Sequence, residues 1–178
     1  MSIGLFIGRF QPFHNGHLEV IKDYILPKCD KLIIGVGSSQ YAYRKDNPFT
    51  YEERKKMITD CLAYEHHIHN FEVVSIPDIH DATNWAKHVL NCVHEKIDVV
   101  FSGNDITITC FRSDIMRLHV TPESGPHASD IRKILSEKGN LGGMDMVPLA
   151  VQDVLITCKA RERLYYLNLP EKFIEKNL

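Results

Sequence analysis

Four short apolar runs, at residues 3–7, 31–36, 71–76 and 97–101, constrain the fold of this chain more than any other feature. Each is rich in Ile, Val, Leu and Phe and too short for a helix, so each reads as a buried strand. A fainter fifth run falls at 118–120. Between the runs lie segments with apolar residues at helical spacing. Residues 18–26 form one, Met57, Ile58, Cys61 and Leu62 give a second its stripe, and Trp85, Val89 and Val93 line a third. Strand and helix in alternation predict an α/β fold: a doubly wound parallel sheet of about five strands, followed by C-terminal helices. In such sheets ligands bind just outside the carboxyl ends of the strands.

The ends of these strands carry the unusual residues. The first leaves its apolar run through Gly8-Arg9-Phe10-Gln11-Pro12-Phe13-His14-Asn15-Gly16-His17. An ordinary strand-to-helix turn needs none of this Arg, Gln and His. His14 and His17 open the following helix, where free backbone N–H groups and the positive dipole end favour an anion. The second strand end leads through Gly37-Ser38-Ser39-Gln40 into a polar loop with Arg44, Lys45 and Asp46, after which Thr50 and Glu53 have the spacing of a capping box. Ser102-Gly103-Asn104-Asp105 closes the fourth run with small residues suited to a tight turn or to close approach of a ligand. Ser129-Asp130 reads as the cap of a helix beginning at Ile131. That puts Arg132 in the first turn, where its charge opposes the dipole unless an anion sits there.

Length and composition narrow the partners. The 178 residues read as one domain, with an α/β core at 1–138 and a helical segment at 139–178, its helices at 148–159, at 161–167 and from Pro170. With 21 basic and 23 acidic residues, a net charge of -2 argues against a protein that relies on non-specific attraction to nucleic acid or anionic membrane. No run approaches the ~20 apolar residues of a membrane span, and no leader pattern precedes Arg9, so the expected location is the cytoplasm. Cys29, Cys61, Cys92, Cys110 and Cys158 are scattered, form no Cys-x-x-Cys pair and read as buried, reduced thiols. His66, His67 and His69 share a loop without an acidic or thiolate partner. They read as solvent-facing, and no metal site is expected.

The residues from Gly8 to His17 resemble the signature of the His-x-Gly-His nucleotidyltransferases. The longer string, together with Ile34-Gly35-Val36-Gly37-Ser38-Ser39-Gln40, Asn47-Pro48-Phe49-Thr50-Tyr51-Glu52-Glu53-Arg54, the Trp85 region and Ser102-Gly103-Asn104, is similar to the archaeal-type nicotinamide mononucleotide (NMN) adenylyltransferases. The likeness runs in order from residue 3 to about 135. The family's second signature, a Ser/Thr-containing segment ending in Ile-Arg or Val-Arg, is matched by Ala128-Ser129-Asp130-Ile131-Arg132, with His127-Ala128 where the family usually has Ser-Gly.

The resemblance implies a Rossmann-like nucleotidyltransferase fold and the reaction of ATP with NMN to give NAD and pyrophosphate. By the same resemblance His14, His17, Arg9 and Arg132 are the catalytic residues. Gly8, Arg9, Gln11, His14, Gly16, His17, Gly103, Asn104, Ser129, Ile131 and Arg132 would bind ATP, and Trp85 would stack on the nicotinamide ring. Mg²⁺ would bridge the phosphates without a dedicated protein cage. Relatives assemble into multimers, so a homo-oligomer is expected. Two other readings compete: transfer to another phosphorylated acceptor, such as phosphopantetheine or a polyol or sugar phosphate, and a nucleotide-sensing module without turnover. Both His and an Arg at each signature argue against the second.

Overall fold

In the computed structural model, which describes residues 1–122, 125, 127–137 and 142–169, the apolar runs become five parallel strands in one sheet. They are β1 (Ile3–Gly8), β2 (Lys31–Gly37), β3 (Phe71–Ile76), β4 (Val99–Ser102) and β5 (Met116–His119). Their spatial order is β3-β2-β1-β4-β5. The chain therefore builds outward from β1 to β3, then crosses back to lay β4 against the other side of β1. That reversal leaves a crevice at the carboxyl ends of β1 and β4, because the connections depart in opposite directions.

Successive strand residues point to opposite faces, and both faces here are apolar. On β1, Leu5 and Ile7 join one hydrophobic cluster and Phe6 the other; on β2, Ile33 opposes Leu32, Ile34 and Val36 in the same way. The Leu5 face is covered by α3 (Ala82–Val93) through Val89 and Val93. The larger cluster on the Phe6 face takes in α2 (Tyr51–Thr59), α5 (Ala128–Ser136), α6 (Leu149–Thr157) and α7 (Ala160–Leu167). Val151, Val154, Leu155 and Leu164 of the C-terminal segment share that cluster with Phe10 and Phe13.

Several helices depart from the expected pattern. The segment after the first strand is a short α1 (Asn15–Glu19), then a π-helical turn at Val20–Ile25 and a 3₁₀ turn at Leu26–Lys28. Likewise α2 continues into a π-helical turn at Asp60–Glu65. Its start is as read: Glu53 N donates to Thr50 Oγ1 at 3.1 Å, and Thr50 N donates to Glu53 Oε2 at 2.8 Å. A short α4 (Asp105–Thr109) arises where no periodicity is visible, because Asn104 Oδ1 accepts from Ile106 N at 2.9 Å and Thr107 N at 3.3 Å.

The start of α5 is a correction. Its N-cap is His127, not Ser129, since Asp130 Oδ2 reaches back to the His127 N–H at 3.3 Å. Arg132 consequently lies beyond the first turn, and the dipole conflict expected of it disappears. The cysteines are all free, but only Cys61 is buried; the other four are half-buried. The helix expected from Pro170 lies outside the described residues. Among the described residues no helix is long and apolar enough to cross a membrane.

Candidate functional site

Two backbone features shape the corner after β1. Gly8 is followed by Phe10 with φ 51, a left-handed conformation, and the Phe10 ring lies over Gly8, where an added Cβ would sit 2.8 Å from Cζ. The Gln11-Pro12 peptide is cis. Phe10 and Phe13 turn into the core, both with 1% exposure or less, while His14 and His17 come to the strand ends.

The two histidines form an aromatic stack. Their ring centroids are 3.6 Å apart with planes 27° from parallel, and His17 is stacked in turn on Phe13 at 5.4 Å and edge-on to Phe10 at 4.9 Å. The His14 N–H donates to His17 Nδ1 at 3.3 Å, which fixes the neutral His17 ring with its proton on Nε2. Burial, and behind it the charge of His127, lowers the His14 pKa to about 4; burial, then His14, pulls His17 well below the usual histidine value. His14 Nδ1 is buried with no hydrogen-bond partner among the described residues. Gly16 completes the corner. A Cβ there would lie 3.1 Å from Pro122 Cγ and 3.2 Å from the His14 ring, narrowing the space above the imidazole.

The crevice is a cavity of about 920 Å³ that starts at Gly8, Arg9, His14, Gly16 and His17 and reaches Trp85. Gly103 and Asn104 line it from the end of β4, and His127 from the N-cap of α5. Trp85 is half-buried and edge-on to Phe111 at 5.9 Å, so the same ring packs on the core and walls the cavity. Ser38, Asp78, His80 and Asp81 also line it, although sequence reasoning does not single them out as site residues. Ser38 Oγ donates to Asp78 Oδ2 at 2.7 Å, Tyr41 Oη pairs with His80 Nε2 at 2.7 Å, and Asp81 Oδ1 caps α3 through Thr83 N at 3.0 Å and Asn84 N at 3.2 Å.

Other expected ligands lie off the cavity. The Gln11 side chain is buried and takes both backbone groups of Phe49, its Nε2 donating to the carbonyl at 3.1 Å and its Oε1 accepting from the N–H at 2.9 Å. It fastens the corner to the loop before α2 and is not part of the cavity wall formed by the described residues. Ile131 has no exposure and belongs to the core. Neither Ser129 nor Arg132 is part of the wall formed by the described residues. Arg132 braces the corner from behind, its guanidinium donating to the Gln11 carbonyl at 2.8 Å. Burial, and then the nearby Arg9 charge, lowers its pKa. The backbone donors expected at the helix start are mostly engaged: Asn15 N bonds Met146 O at 3.1 Å, and His17 N and Leu18 N bond His14 O at 2.9 and 3.2 Å.

Arg54 is the residue that sequence reasoning misses. It is fully buried, with Nη1 donating to the carbonyls of Arg9 at 2.9 Å and Gly37 at 2.8 Å, Nη2 to Ser38 at 3.3 Å and Nε to Thr50 at 3.2 Å. One guanidinium thus ties the ends of β1 and β2 to the start of α2. Desolvation lowers its pKa to about 10, which leaves it charged at neutral pH. Its signal in the sequence is an Arg on the same helical stripe as Met57, Ile58 and Cys61.

The chain is similar to known proteins in sequence and in fold. Residues 5–134 match the cytidylyltransferase-like family. The chain is 33% identical over 179 residues to a nicotinamide-nucleotide adenylyltransferase of Thermococcus sibiricus, covering 98% of this chain and 94% of the relative. A protein of the same name from Saccharolobus solfataricus is 34% identical over 168 residues, 92% of this chain and 95% of its own. Among solved structures, a bifunctional NMN adenylyltransferase/ADP ribose pyrophosphatase from Francisella tularensis, complexed with AMP and a manganese ion, superposes with a TM-score of 0.65 at 23% identity. That match covers 95% of this chain and 56% of the Francisella chain, so this chain spans little more than half of the bifunctional protein. A putative nicotinate-nucleotide adenylyltransferase from Vibrio parahaemolyticus gives 0.62 at 17% identity, with coverage of 95% and 98%. At these identities the two structures speak for the fold alone.

Proposed function

The chain belongs to the cytidylyltransferase-like family and, within it, to the archaeal-type nicotinamide-nucleotide adenylyltransferases, and from that premise we infer that it joins ATP and NMN into NAD with release of pyrophosphate. The observation that carries the reading is one cavity of about 920 Å³ lined both by the stacked His14–His17 pair and by Trp85, a volume at the upper end of those that hold small-molecule ligands.

An oxygen of the NMN phosphate attacks the α-phosphorus of ATP in line, and the bond to the β-phosphate oxygen breaks. The nucleophile is already an anion, so no side chain has to remove a proton. The protein's task is to align two polyanions and to receive the charge that grows on the α-phosphate and on departing pyrophosphate. His17 presents its Nε2–H to those oxygens, and buried His14 adds a second ring donor. Arg9, exposed at the mouth, supplies a cation, with Arg132 behind it as a second positive charge. Gly103 and Asn104 bound the nucleotide from β4. Trp85 offers its face to the nicotinamide ring. Mg²⁺ arrives with the triphosphate as part of the substrate: Asp78 and Asp81 are held by Ser38 and by the α3 cap, and no set of three metal-ligating groups among the described residues faces the cavity.

The reading treats residues 1–178 as one folding unit, supported by the core cluster that the C-terminal helices share with Phe10 and Phe13. It also takes the chain as a homo-oligomer, supported by Leu149, Ile156, Tyr165 and Tyr166, which leave apolar surface uncovered on α6 and α7.

Purified chain with ATP and Mg²⁺ should convert NMN to NAD, read by a coupled alcohol dehydrogenase, with equimolar pyrophosphate. Phosphopantetheine and polyol or sugar phosphates should release none. Pyrophosphate from another acceptor alone, or tight nucleotide binding with no turnover, would replace this reading with one of its competitors.

A further inference from the structure

A second group of chemically active side chains lies outside this cavity. Glu65 directly precedes His66 and Cys61 lies five residues before it, and the fold turns both side chains toward the His66 ring. Because α2 runs on into the π-helical turn Asp60–Glu65, His66 N donates to Cys61 O at 3.1 Å, a bond from residue i+5 to residue i. In an α-helix those positions diverge around the axis. The π turn draws them together, and such turns gather at functional sites. Cys61 Sγ, a Glu65 carboxylate oxygen and a His66 ring nitrogen consequently all lie within 4.8 Å of one another.

The hydrogen bonds leave these atoms available. His66 Nε2 is buried with no hydrogen-bond partner among the described residues, and its 3.8 Å separation from Glu65 Oε1 is too long for one. Glu65 is oriented by its other oxygen, which accepts the Ala150 N–H in the first turn of α6 at 3.0 Å. We propose that Cys61, Glu65 and His66 bind one zinc-class divalent cation, with water in the fourth position. A thiolate, an imidazole and a carboxylate select Zn²⁺ over Mg²⁺ or Ca²⁺. Bonds of ~2.0–2.3 Å in a tetrahedron set the ligand atoms roughly 3.3–3.8 Å apart; His66 Nε2 and Glu65 Oε1 are already 3.8 Å apart, and the widest separation, within 4.8 Å, has little further to close. Cys61 is fully buried and the other two are half-buried, so the ion enters past Glu65 and His66. On binding, the Cys61 thiol gives its proton to solvent as the S–Zn bond forms. Through Glu65, the ion clamps the π turn to α6.

The test uses the full chain, stripped with a chelator and free of nucleotide, with Co²⁺ as the spectroscopic probe. One equivalent of Co²⁺ should give a thiolate charge-transfer band that Zn²⁺ abolishes by displacement, and Zn²⁺ should raise the melting temperature. Cys61→Ser should remove the band, and His66→Gln should weaken Zn²⁺ binding at least ~10-fold, since removing even a group that only orients a ligand costs that much. His67→Gln/His69→Gln should bind as the wild type does. His66 is only half-buried, so its variant decides the matter even where Cys61→Ser fails to fold. No thiolate band in folded wild type, or unchanged affinity in folded His66→Gln, would overturn the site.

Discussion

In the proposed reaction His17 takes part as a neutral ring whose tautomer is set by one backbone N–H. The His14 amide occupies Nδ1, so the proton is on Nε2 before any substrate arrives, and the stack on Phe13 fixes where that N–H points. A donor prepared in this way needs no rearrangement as charge develops, which is where preorganised groups contribute most. His17→Ala should therefore lower kcat at least ~10²-fold, measured as steady-state NAD formation with circular dichroism verifying the fold. Turnover near the wild-type rate in folded variant would remove His17 from the reacting centre. Gly16 acts at the same scale: by lacking a Cβ it keeps the space between Pro122 and the His14 ring open.

Among elements, Arg54 decides how two strands and a helix meet. Its four bonds go to carbonyls rather than to a carboxylate, so it is a buried cation solvated by the backbone of β1, β2 and α2. Arg54→Met keeps most of the volume and leaves those carbonyls unpaired. It should cost at least ~3 kcal/mol in urea unfolding, and Arg54→Lys should recover only part, because one ammonium cannot reproduce the planar fork. Unfolding midpoints equal to the wild type would show that water replaces the guanidinium. The strands themselves were readable because four to seven apolar residues bounded by turn signals have few alternatives. β3 falls at 71–76 as expected, whereas β4 begins two residues late because Asp98 turns its carboxylate back to Ile3 N at 2.8 Å. β5 was faint because three of its four residues are exposed at the sheet edge. The π turns were not readable, since six residues of apolar spacing fit an α-helix equally well. Of the residues lining the cavity, the histidine corner was legible as polar groups at a strand end, and Trp85, on α3, only through the family resemblance. Gln11 and Arg54 were not, because their partners are backbone atoms distant in sequence.

For the whole molecule, the buried histidines set the acid limit. Unfolded, His14 takes up a proton near pH 6.5; folded, it resists until about 4, so the unfolded state holds more protons in between. Stability is fully present above pH 6.5 and should fall by about 3 kcal/mol by pH 4 on this account, with His17 adding in the same direction. His14→Gln should flatten that limb in urea unfolding compared at pH 7 and pH 4, and an unchanged slope would assign acid sensitivity to other groups.

The C-terminal segment shares more than apolar packing with the rest. Arg163 of α7 donates to both carboxylate oxygens of Glu53, at 2.7 and 2.8 Å, and Asn15, beside His14, is held through its side chain to Asp145 O at 3.2 Å and through its N–H to Met146 O. On a ribosome the histidine corner is made early and these anchors much later. Held meanwhile by Arg54 and by the Gln11–Phe49 pair, the corner waits while more than a hundred further residues are added and gains its last support only once α6 and α7 have left the exit tunnel.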